Sequence, residues 1–256
     1  MIPRIAHPWT IDKLRFLEKF LPAFVRATKK ALNRFYVDGF AGPGINEVEG
    51  RTYLGSPLIA LPLEFDRLFF VEKDRENFES LRKHIEERDP VSLKKGRVEL
   101  YNADFNTVLD KILDKIPNQA PTMFFLDPEG LELHWTTVEK IAERKKVDLF
   151  ILISASGVLR NAPKRGSWET LTRFFGDESW KGIRPKPGHT WFEAYAEHYR
   201  NRMRELGLEG SEYVIVARNR KNTPMHILAF HSKHKVGLKI ANDVIRSFSK
   251  QTRLLP

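Results

Sequence analysis

The sequence predicts an α/β fold in which a mostly parallel sheet is covered by helices on both faces. Three observations predict it. Short apolar segments alternate with amphipathic segments at helical spacing along the first 153 residues. The apolar segments are hydrophobic on both faces, as is typical of strands buried in a parallel sheet. Four consecutive apolar segments are each followed by an acidic residue, which aligns their carboxyl ends along one edge of the sheet.

The elements of this sheet follow in order along the chain. A first helix is expected over residues 10–32, with Thr10 as its cap and with Leu14 and Leu17 on its apolar face. The five strands are expected at 34–37, 67–72, 97–101, 122–126 and 147–153. Helices are expected at 75–88, 105–116 and 135–144, and from Ser56 onward, with Ser56 as N-cap and Pro57 at the first helical position.

The pattern changes after residue 153. Residues 154–190 are rich in glycine, proline, tryptophan and basic residues, with a short helix expected at 168–175. A helix is expected at 190–206, then an antiparallel hairpin of strands 213–217 and 226–230, and a last helix at 236–249. We therefore expect one domain over residues 1–256, with 154–190 as an insertion that contacts a substrate or a partner.

Composition narrows the classes of function. The chain of 256 residues carries a formal charge of +10, so a polyanion such as nucleic acid is a favoured partner; a solvated basic surface without a partner is the alternative. Cysteine is absent, which excludes disulfides and thiolate chemistry. The sequence shows neither a signal peptide nor an apolar span of ~20 residues, so we expect a cytoplasmic protein that does not cross a membrane.

A glycine-rich segment, Asp38-Gly39-Phe40-Ala41-Gly42-Pro43-Gly44, follows the first strand of the sheet. Ligands of open parallel sheets bind beyond the carboxyl ends of the strands, and glycines let the backbone approach them closely. A tight turn without a ligand is the alternative interpretation.

Acids at the ends of the next strands strengthen the ligand interpretation. Glu72, Asp104 and Asp127 end the second, third and fourth strands. A carboxylate at the position of Glu72 can accept hydrogen bonds from a ribose diol. An exposed acid at a strand end is the alternative for Glu72.

The spacing favours S-adenosylmethionine (SAM) over a nicotinamide dinucleotide. A dinucleotide fingerprint starts its helix inside the glycine motif, where the helix N-terminus meets the pyrophosphate. Here an eleven-residue polar loop separates Gly44 from Ser56. Asp38 also suits the cationic methionine part of SAM, whereas it would repel a pyrophosphate.

These motifs resemble those of class I SAM-dependent methyltransferases. The glycine-rich segment resembles the first motif in its D-x-F-A-G-x-G form, and Glu72 resembles the ribose-binding acid of the second. Asp104-Phe105 and Asp127-Pro128 resemble the third motif and the start of the fourth, D-P-P-Y-like motif. More closely, the segments YVDGFAGPG, GSPLIAL, FFVEKD and FFLDPEG resemble the three-Cys-motif partner proteins (TcmP), a methyltransferase-like family.

The resemblance implies a Rossmann-like class I methyltransferase fold: a mostly parallel seven-stranded sheet with an antiparallel last strand and a helical insertion after strand five. It implies SAM as cofactor and a possible partner enzyme. The cofactor-binding residues that it implies are Asp38, Gly39, Phe40, Gly42, Gly44, Glu72, Lys73, Asp104 and Phe105. The catalytic residues are Asp127, Pro128 and Glu129.

The fourth motif departs from the family pattern. Enzymes that methylate exocyclic amines of bases use D-P-P-Y or N-P-P-Y, whereas this chain has Asp127-Pro128-Glu129-Gly130. Asp127 can still orient an acceptor or take its proton. Because the aromatic residue is missing, stacking on a base would need an aromatic side chain from elsewhere.

The insertion mixes cations with aromatic residues. Its predicted nucleic-acid-binding residues are Arg160, Lys164, Arg165, Lys181, Arg184 and Lys186. Basic groups neutralise phosphates, and aromatic faces such as those of Trp168, Phe174, Phe175 and Trp180 stack on unpaired bases. The alternative is a small capping unit whose aromatic residues form its own core. The histidines have no metal-ligand spacing, so no metal site is predicted.

Three hypotheses follow. The first is a methyltransferase that moves a methyl group from SAM to RNA or DNA. The second is a SAM-fold accessory protein with little or no catalysis that acts beside another enzyme. The third is a nicotinamide oxidoreductase, which the gap between the glycines and the helix argues against.

Overall fold

A computed structural model describes residues 3–7, 9–219, 221–248 and 251–253 of the chain. Its strands, in chain order, are β1 (Arg4–Ile5), β2 (Phe35–Asp38), β3 (Ile45–Val48), β4 (Arg51–Leu54), β5 (Arg67–Glu72), β6 (Val98–Asn102), β7 (Thr122–Leu126), β8 (Val147–Ile153), β9 (Glu209–Gly210), β10 (Tyr213–Arg218), β11 (Pro224–Ser232) and β12 (Gln251–Arg253).

The α-helices alternate with these strands. They are α1 (Trp9–Ala27), α2 (Ser56–Ala60), α3 (Arg75–Arg88), α4 (Pro90–Lys94), α5 (Phe105–Leu113), α6 (Trp135–Ala142), α7 (Ala155–Asn161), α8 (Trp168–Phe175), α9 (Trp191–Glu205) and α10 (Lys235–Arg246). Among the described residues, no helix combines the length and the apolar character needed to cross a membrane.

The main sheet has the strand order β12-β10-β11-β8-β7-β2-β5-β6. The five strands from β8 to β6 are parallel, and β11 inserts antiparallel between β8 and β10. These seven strands form the mostly parallel sheet with an antiparallel last strand that the sequence predicts, so the predicted fold class is confirmed. Two short strands extend it: β12 pairs with β10, and β9 pairs with β11.

Both faces of the sheet are buried beneath helices. On one face α1 and α10 cover the strands, and the Phe16 ring of α1 stacks on Phe150 of β8 with centroids 4.2 Å apart. On the other face α5, α6 and α9 pack around Trp135 and Tyr199, whose rings meet edge to face at 5.3 Å. The apolar segments that the sequence predicts to be hydrophobic on both faces are the strands that are buried on both faces of this sheet.

The segment after the glycine motif differs from the prediction. Residues 45–54 form the β3–β4 hairpin instead of a polar loop, and β1 adds to β3 as a parallel third strand. The N-cap of α2 is Gly55 rather than Ser56. The Ser56 hydroxyl bonds to the carboxyl group of Asp38 and is therefore not used as a cap.

The ends of two helices also differ from the prediction. The first helix ends at Ala27, where a turn through residues 28–32 replaces its predicted last residues. The last helix ends at Arg246, and Ser249, its predicted end, lies outside the described residues.

Residues 154–190 follow the carboxyl end of β8. They contain α7, which the sequence did not predict, then α8 at its predicted position, and two 3₁₀ turns at Arg165–Ser167 and Glu178–Gly182. The next helix, α9, begins with a capping box in which Thr190 and Glu193 exchange hydrogen bonds.

Candidate functional site

A cavity of about 450 Å³ lies at the carboxyl ends of β2, β5, β6 and β7. Its volume is within the range of small-molecule sites, about 300–1,000 Å³. Eight residues predicted for the cofactor or the chemistry line it: Gly39, Phe40, Glu72, Lys73, Asp104, Phe105, Asp127 and Glu129. Four others, Asp38, Gly42, Gly44 and Pro128, do not line it.

The glycine-rich segment packs closely against the sheet. A side chain at Gly39 would lie 2.7 Å from Leu126 and 2.9 Å from Phe105, so only glycine fits there without movement. Gly42 and Gly44 have φ values of +64° and +87°, which favour glycine. The conformation and packing of the turn alone require glycine at these positions. The glycines therefore agree with a ligand site and also with a tight turn that binds no ligand.

Glu72 ties the glycine-rich segment to the second strand of the site. Its two carboxylate oxygens accept hydrogen bonds from the backbone N–H groups of Gly42 (2.8 Å) and Asp74 (2.7 Å). Burial raises the pKa of Glu72 despite these two bonds. Because a carboxylate offers about four lone-pair sites, Glu72 still has acceptor capacity for a ligand in the cavity.

Asp104 caps α5 at the cavity wall. Its carboxylate accepts hydrogen bonds from the backbone and side chain of Asn106, and Lys73 donates to it at 3.0 Å. Burial would raise the pKa of Asp104, but these bonds outweigh it and lower the pKa. Beside it, the Phe40 and Phe105 rings lie 6.0 Å apart and give this end of the cavity an apolar wall.

Asp38 lies beneath the cavity and does not face it. The residue is fully buried, and its carboxyl group interacts with Ser56, with the Phe40 N–H and with the Tyr36 hydroxyl. Burial raises the pKa of Asp38 to about 7. Because its carboxyl group is buried and bonded in this way, Asp38 does not line the cavity, and its interaction with the methionine part of SAM stays a prediction.

Asp127 forms a buried ion pair with Lys13 of α1. Asp127 and Lys13 are only 6% and 5% exposed. Lys13 engages Asp127 Oδ2, whereas Oδ1 is buried with no hydrogen-bond partner among the described residues. Buried polar atoms in proteins are nearly always bonded, so Oδ1 is an acceptor available to a ligand.

Three cations of the site, Lys13, Arg4 and Arg75, were not predicted from the sequence. Lys13 lies on the apolar face of α1, one turn before Leu17, and a cation on such a face is the signal that could have identified it. Arg4 of β1 enters the cavity lining and pairs with the exposed carboxylate of Glu129 at 2.6 Å. Nothing in the sequence around Arg4 indicates a two-residue strand at this place.

The cavity is acidic although the chain is basic. Its lining contains six carboxylates, Glu72, Asp74, Asp104, Asp127, Glu129 and Glu132, and three cations, Arg4, Lys73 and Arg75. Lys13 pairs with Asp127 from outside this lining, which leaves an excess of two negative charges; this excess favours a cationic ligand and opposes a pyrophosphate.

Two of the six predicted nucleic-acid-binding cations form ion pairs with carboxylates among the described residues, and four do not. Arg160, Lys164 and Arg165 are exposed on α7 and the following turn, and they form no ion pairs among the described residues. Lys181 and Lys186 pair with Glu178 and Glu197. Arg184 is exposed and donates to the carbonyl groups of Lys181 and Ile183.

The predicted stacking residues of the insertion are mostly core residues. Phe174, Phe175 and Trp180 are at most 4% exposed. Trp168 is half-buried, with Lys181 Nζ 4.7 Å and the Arg165 guanidinium 5.9 Å from its ring centroid. The three buried rings belong to the core on one face of the main sheet, where Phe174 and Phe175 pack on Tyr199, so they are closed to a base and do not form a separate core of the insertion.

Comparisons with known proteins bear on this fold. No protein-family model matches the chain, and no curated protein matches its sequence. Among solved structures, a Legionella pneumophila str. Philadelphia 1 protein of the family model DUF519 superposes with a TM-score of 0.56 at 11% identity, covering 93% of each chain.

Two further structures superpose with lower scores. A spermidine synthase in complex with the transition-state analogue AdoDATO has a TM-score of 0.48 at 13% identity, covering 93% of this chain and 65% of its own. An rRNA methylase from Streptococcus thermophilus has a TM-score of 0.43 at 12% identity, covering 91% of this chain and 99% of its own. At 11% identity the likeness to the Legionella protein concerns the fold alone, and it agrees with the Rossmann-like sheet that the strand order shows.

Proposed function

We propose that the protein binds SAM in the cavity at the carboxyl ends of β2, β5, β6 and β7 and transfers its methyl group to a nucleic acid. The observation that carries this proposal is the acidic cavity itself. It combines Glu72, which has acceptor capacity for a ribose, with Asp127, whose buried Oδ1 lacks a hydrogen-bond donor. SAM supplies a methyl group on a cationic sulfonium, which suits the excess negative charge of the lining.

The residues of the chain have separate tasks in this proposal. Glu72 accepts hydrogen bonds from the ribose hydroxyls, and the Phe40–Phe105 wall contacts the adenine. Asp127 Oδ1 accepts a hydrogen bond from the acceptor N–H or O–H group. When the acceptor forms its bond to the methyl carbon and the carbon–sulfur bond breaks, the acceptor proton passes to Asp127. Lys13 holds Asp127 in place and compensates its charge before transfer.

The excess of basic residues supports a nucleic-acid substrate. The chain has a formal charge of +10 while the cavity has an acidic lining, so its positive charge lies elsewhere on the molecule. Arg160, Lys164 and Arg165 follow β8, at the edge of the sheet that holds the cavity, and all three are exposed. Cations in this position can contact the phosphates of a strand whose base reaches Asp127.

A second function is favoured by one feature. The fourth motif has Glu129 and Gly130 where the family pattern has a second proline and the aromatic residue that stacks on a base, and Glu129 is paired with Arg4 at the cavity. This arrangement suits an accessory protein that binds SAM but catalyses little or no transfer, acting with another enzyme.

Two measurements test these functions. Calorimetry with S-adenosylhomocysteine, NAD and NADP should show binding of the first only. Labelled SAM should then transfer its methyl group to total RNA or total DNA. Binding without any transfer would support the accessory protein, and binding of a nicotinamide cofactor would overturn both.

A further inference from the structure

Trp191, the first residue of α9, is a large aromatic side chain left at the surface. It is 44% exposed, whereas the neighbouring aromatic residues Phe175 and Phe192 are buried. Its ring stacks on Tyr195 one turn later, with centroids 5.9 Å apart and planes 30° apart. Because Tyr195 is itself buried, it holds the indole on a rigid base while much of the indole surface stays open.

Strand registers place Trp191 at the edge of the sheet that holds the cavity. Ile153, at the carboxyl end of β8, pairs with Ile227 of β11, and Arg218 ends β10 just beyond this level. The helix α9 starts near Arg218, whose charge acts on Glu193, and it ends before β9 at the opposite edge. The helix α9 packs on β11, which the strand order puts two strand spacings, about 10 Å, from β7 along this edge.

Two exposed arginines lie near the residues of α9 around this indole, Arg184 near Tyr195 and Arg218 near Glu193. Arg184 is exposed and acts electrostatically on the hydroxyl of Tyr195, and Arg218 is exposed at the end of β10. Each guanidinium group donates a hydrogen bond to a backbone carbonyl group. Arg184 donates to that of Ile183 at 2.7 Å, and Arg218 donates to that of Asn222 at 2.9 Å. Neither guanidinium forms an ion pair with a carboxylate among the described residues. Both charges are therefore available to an anion beside Trp191.

We propose that Trp191 is a stacking platform for an unpaired base of a single-stranded nucleic acid, with Arg184 and Arg218 contacting the adjacent phosphates. The proposal rests on the proposed function and names the form of its substrate. A base exposes its ring faces only when it is unpaired, so an exposed indole near cations selects single strands over duplexes. The charged surroundings argue against an apolar protein surface as the occupant.

Binding of labelled oligonucleotides to the full chain tests this proposal. The probes are a mixed-sequence single-stranded RNA, the same sequence as single-stranded DNA, and a duplex, each measured by fluorescence anisotropy at one salt concentration. Trp191→Ala should weaken binding of the single strands roughly 5- to 100-fold, the range of one lost base stack, and leave duplex binding unchanged. Trp191→Phe should retain most of the affinity, because its ring can still stack. Val236→Ala removes a 60% exposed apolar side chain at the opposite edge and should change nothing.

The outcomes separate this proposal from the proposed function. If the unmutated protein binds single strands and Trp191→Ala binds them equally well, the platform is overturned and the methyltransferase proposal stands. Equal losses on single strands and duplex would also overturn it, since stacking on an unpaired base cannot explain them. If S-adenosylhomocysteine binds but no nucleic acid binds even at low salt, the nucleic-acid substrate and the platform both fail. S-adenosylhomocysteine affinity and melting temperature should match the unmutated protein in every variant.

Discussion

At the level of single residues, acids at the sheet edge serve the fold as well as a ligand. Glu72 fixes the backbone of Gly42 and Asp74, Asp104 caps α5, and Asp38 is buried beneath the glycine-rich segment. A carboxylate that accepts only backbone bonds would be explained by structure alone. An experiment must therefore distinguish an acid that only stabilises the fold from one that also binds a ligand, and a substitution at Glu72 makes this distinction.

Glu72→Ala should weaken binding of S-adenosylhomocysteine by about 1–3 kcal/mol through lost charge-assisted hydrogen bonds. The same change releases the N–H of Gly42, so circular dichroism must show an intact fold before calorimetry is interpreted. Glu79→Ala, which removes an exposed carboxylate of α3 outside the cavity lining, is the matched control and should bind normally. An intact Glu72→Ala variant with unchanged affinity would remove the ribose assignment.

Asp127→Asn should separate chemistry from binding. Asparagine keeps the shape and still accepts a hydrogen bond from Lys13, but it cannot take a proton. We expect methyl transfer to fall roughly ten- to ten-thousand-fold, the span that general bases contribute, with S-adenosylhomocysteine affinity nearly unchanged.

Lys13→Met provides the comparison for Asp127→Asn. It leaves the Asp127 carboxylate buried and unpaired, which should lower the free energy of unfolding by about 3–5 kcal/mol. Urea denaturation measures this loss. Asp127→Asn likewise leaves Lys13 without its counter-charge and should lose stability, so stability does not separate the roles. Full transfer activity in Asp127→Asn would exclude Asp127 as the base, and loss of S-adenosylhomocysteine affinity would assign it a structural role only.

At the level of elements, the sequence predicts the central strands well because their pattern is strong. Strands β5, β7 and β8 are buried on both faces, and charged, proline or serine residues bound their apolar runs, so their predicted and observed limits agree. The hairpin β3–β4 was missed because INEV and RTYL are short and partly polar. The two-residue β1 depends on that hairpin for its partner, which no local pattern can reveal.

The sequence predicts the residues of the candidate site that lie at the ends of parallel strands. It does not predict those that reach the site through the packing of distant elements. Gly39, Glu72 and Asp104 meet at one edge because parallel strands bring their carboxyl ends together. Lys13 reaches the site from a helix 114 residues away in sequence, through a buried pair that has no periodic signature. Trp191 falls inside the helix predicted at 190–206, but nothing in the sequence indicates that it lies on the exposed side of the first turn.

The surface of α7 and the turn after it gives a prediction about salt. Each phosphate contact removed should reduce the slope of log K against log salt by about 0.7–0.9. Replacing Arg160, Lys164 and Arg165 together by alanine should therefore lower the slope of nucleic-acid binding, which titrations at several salt concentrations measure. Replacing Lys29, Lys30 and Lys235, three exposed cations at the opposite edge, removes the same charge and should change the slope little. Equal slopes for both triple variants would place the contacts elsewhere.

At the level of the whole molecule, charge is divided between two regions. The cavity has three more carboxylates than cations in its lining, although the chain has ten more basic than acidic residues. In our proposal this division keeps phosphates out of the cofactor site while the outer surface attracts them. A nucleic acid would then be drawn to the sheet edge and offer only an uncharged base or hydroxyl to Asp127.

Buried titratable groups of opposite kinds should make the stability of the molecule nearly independent of pH in mild acid. Burial raises the pKa of Asp38 to about 7 and that of Asp148 to about 6. The stability that these acids contribute is present below pH ~4 and is lost as the pH rises through their folded pKa values. Burial also lowers the pKa of His226 to about 4, and burial with the nearby Arg200 lowers that of His231 to about 3. Stability linked to these histidines increases as the pH rises toward ~6.5, so the two effects oppose each other.

Replacing one buried acid and replacing one buried histidine should change the slope of the free energy of unfolding against pH in opposite directions. Asp148→Asn leaves the histidines less opposed, so its free energy of unfolding should rise between pH 4 and pH 6, by up to about 1.4 kcal/mol per pH unit relative to the unmutated protein. His231→Gln leaves the acids less opposed, and its free energy of unfolding should fall over the same interval, by a similar amount. Urea denaturation of the three proteins at pH 4, 5 and 6 measures these slopes, and the comparison uses slopes because each substitution also changes stability at every pH. If both variants keep the slope of the unmutated protein, these buried groups do not titrate between the folded and unfolded states as their burial requires.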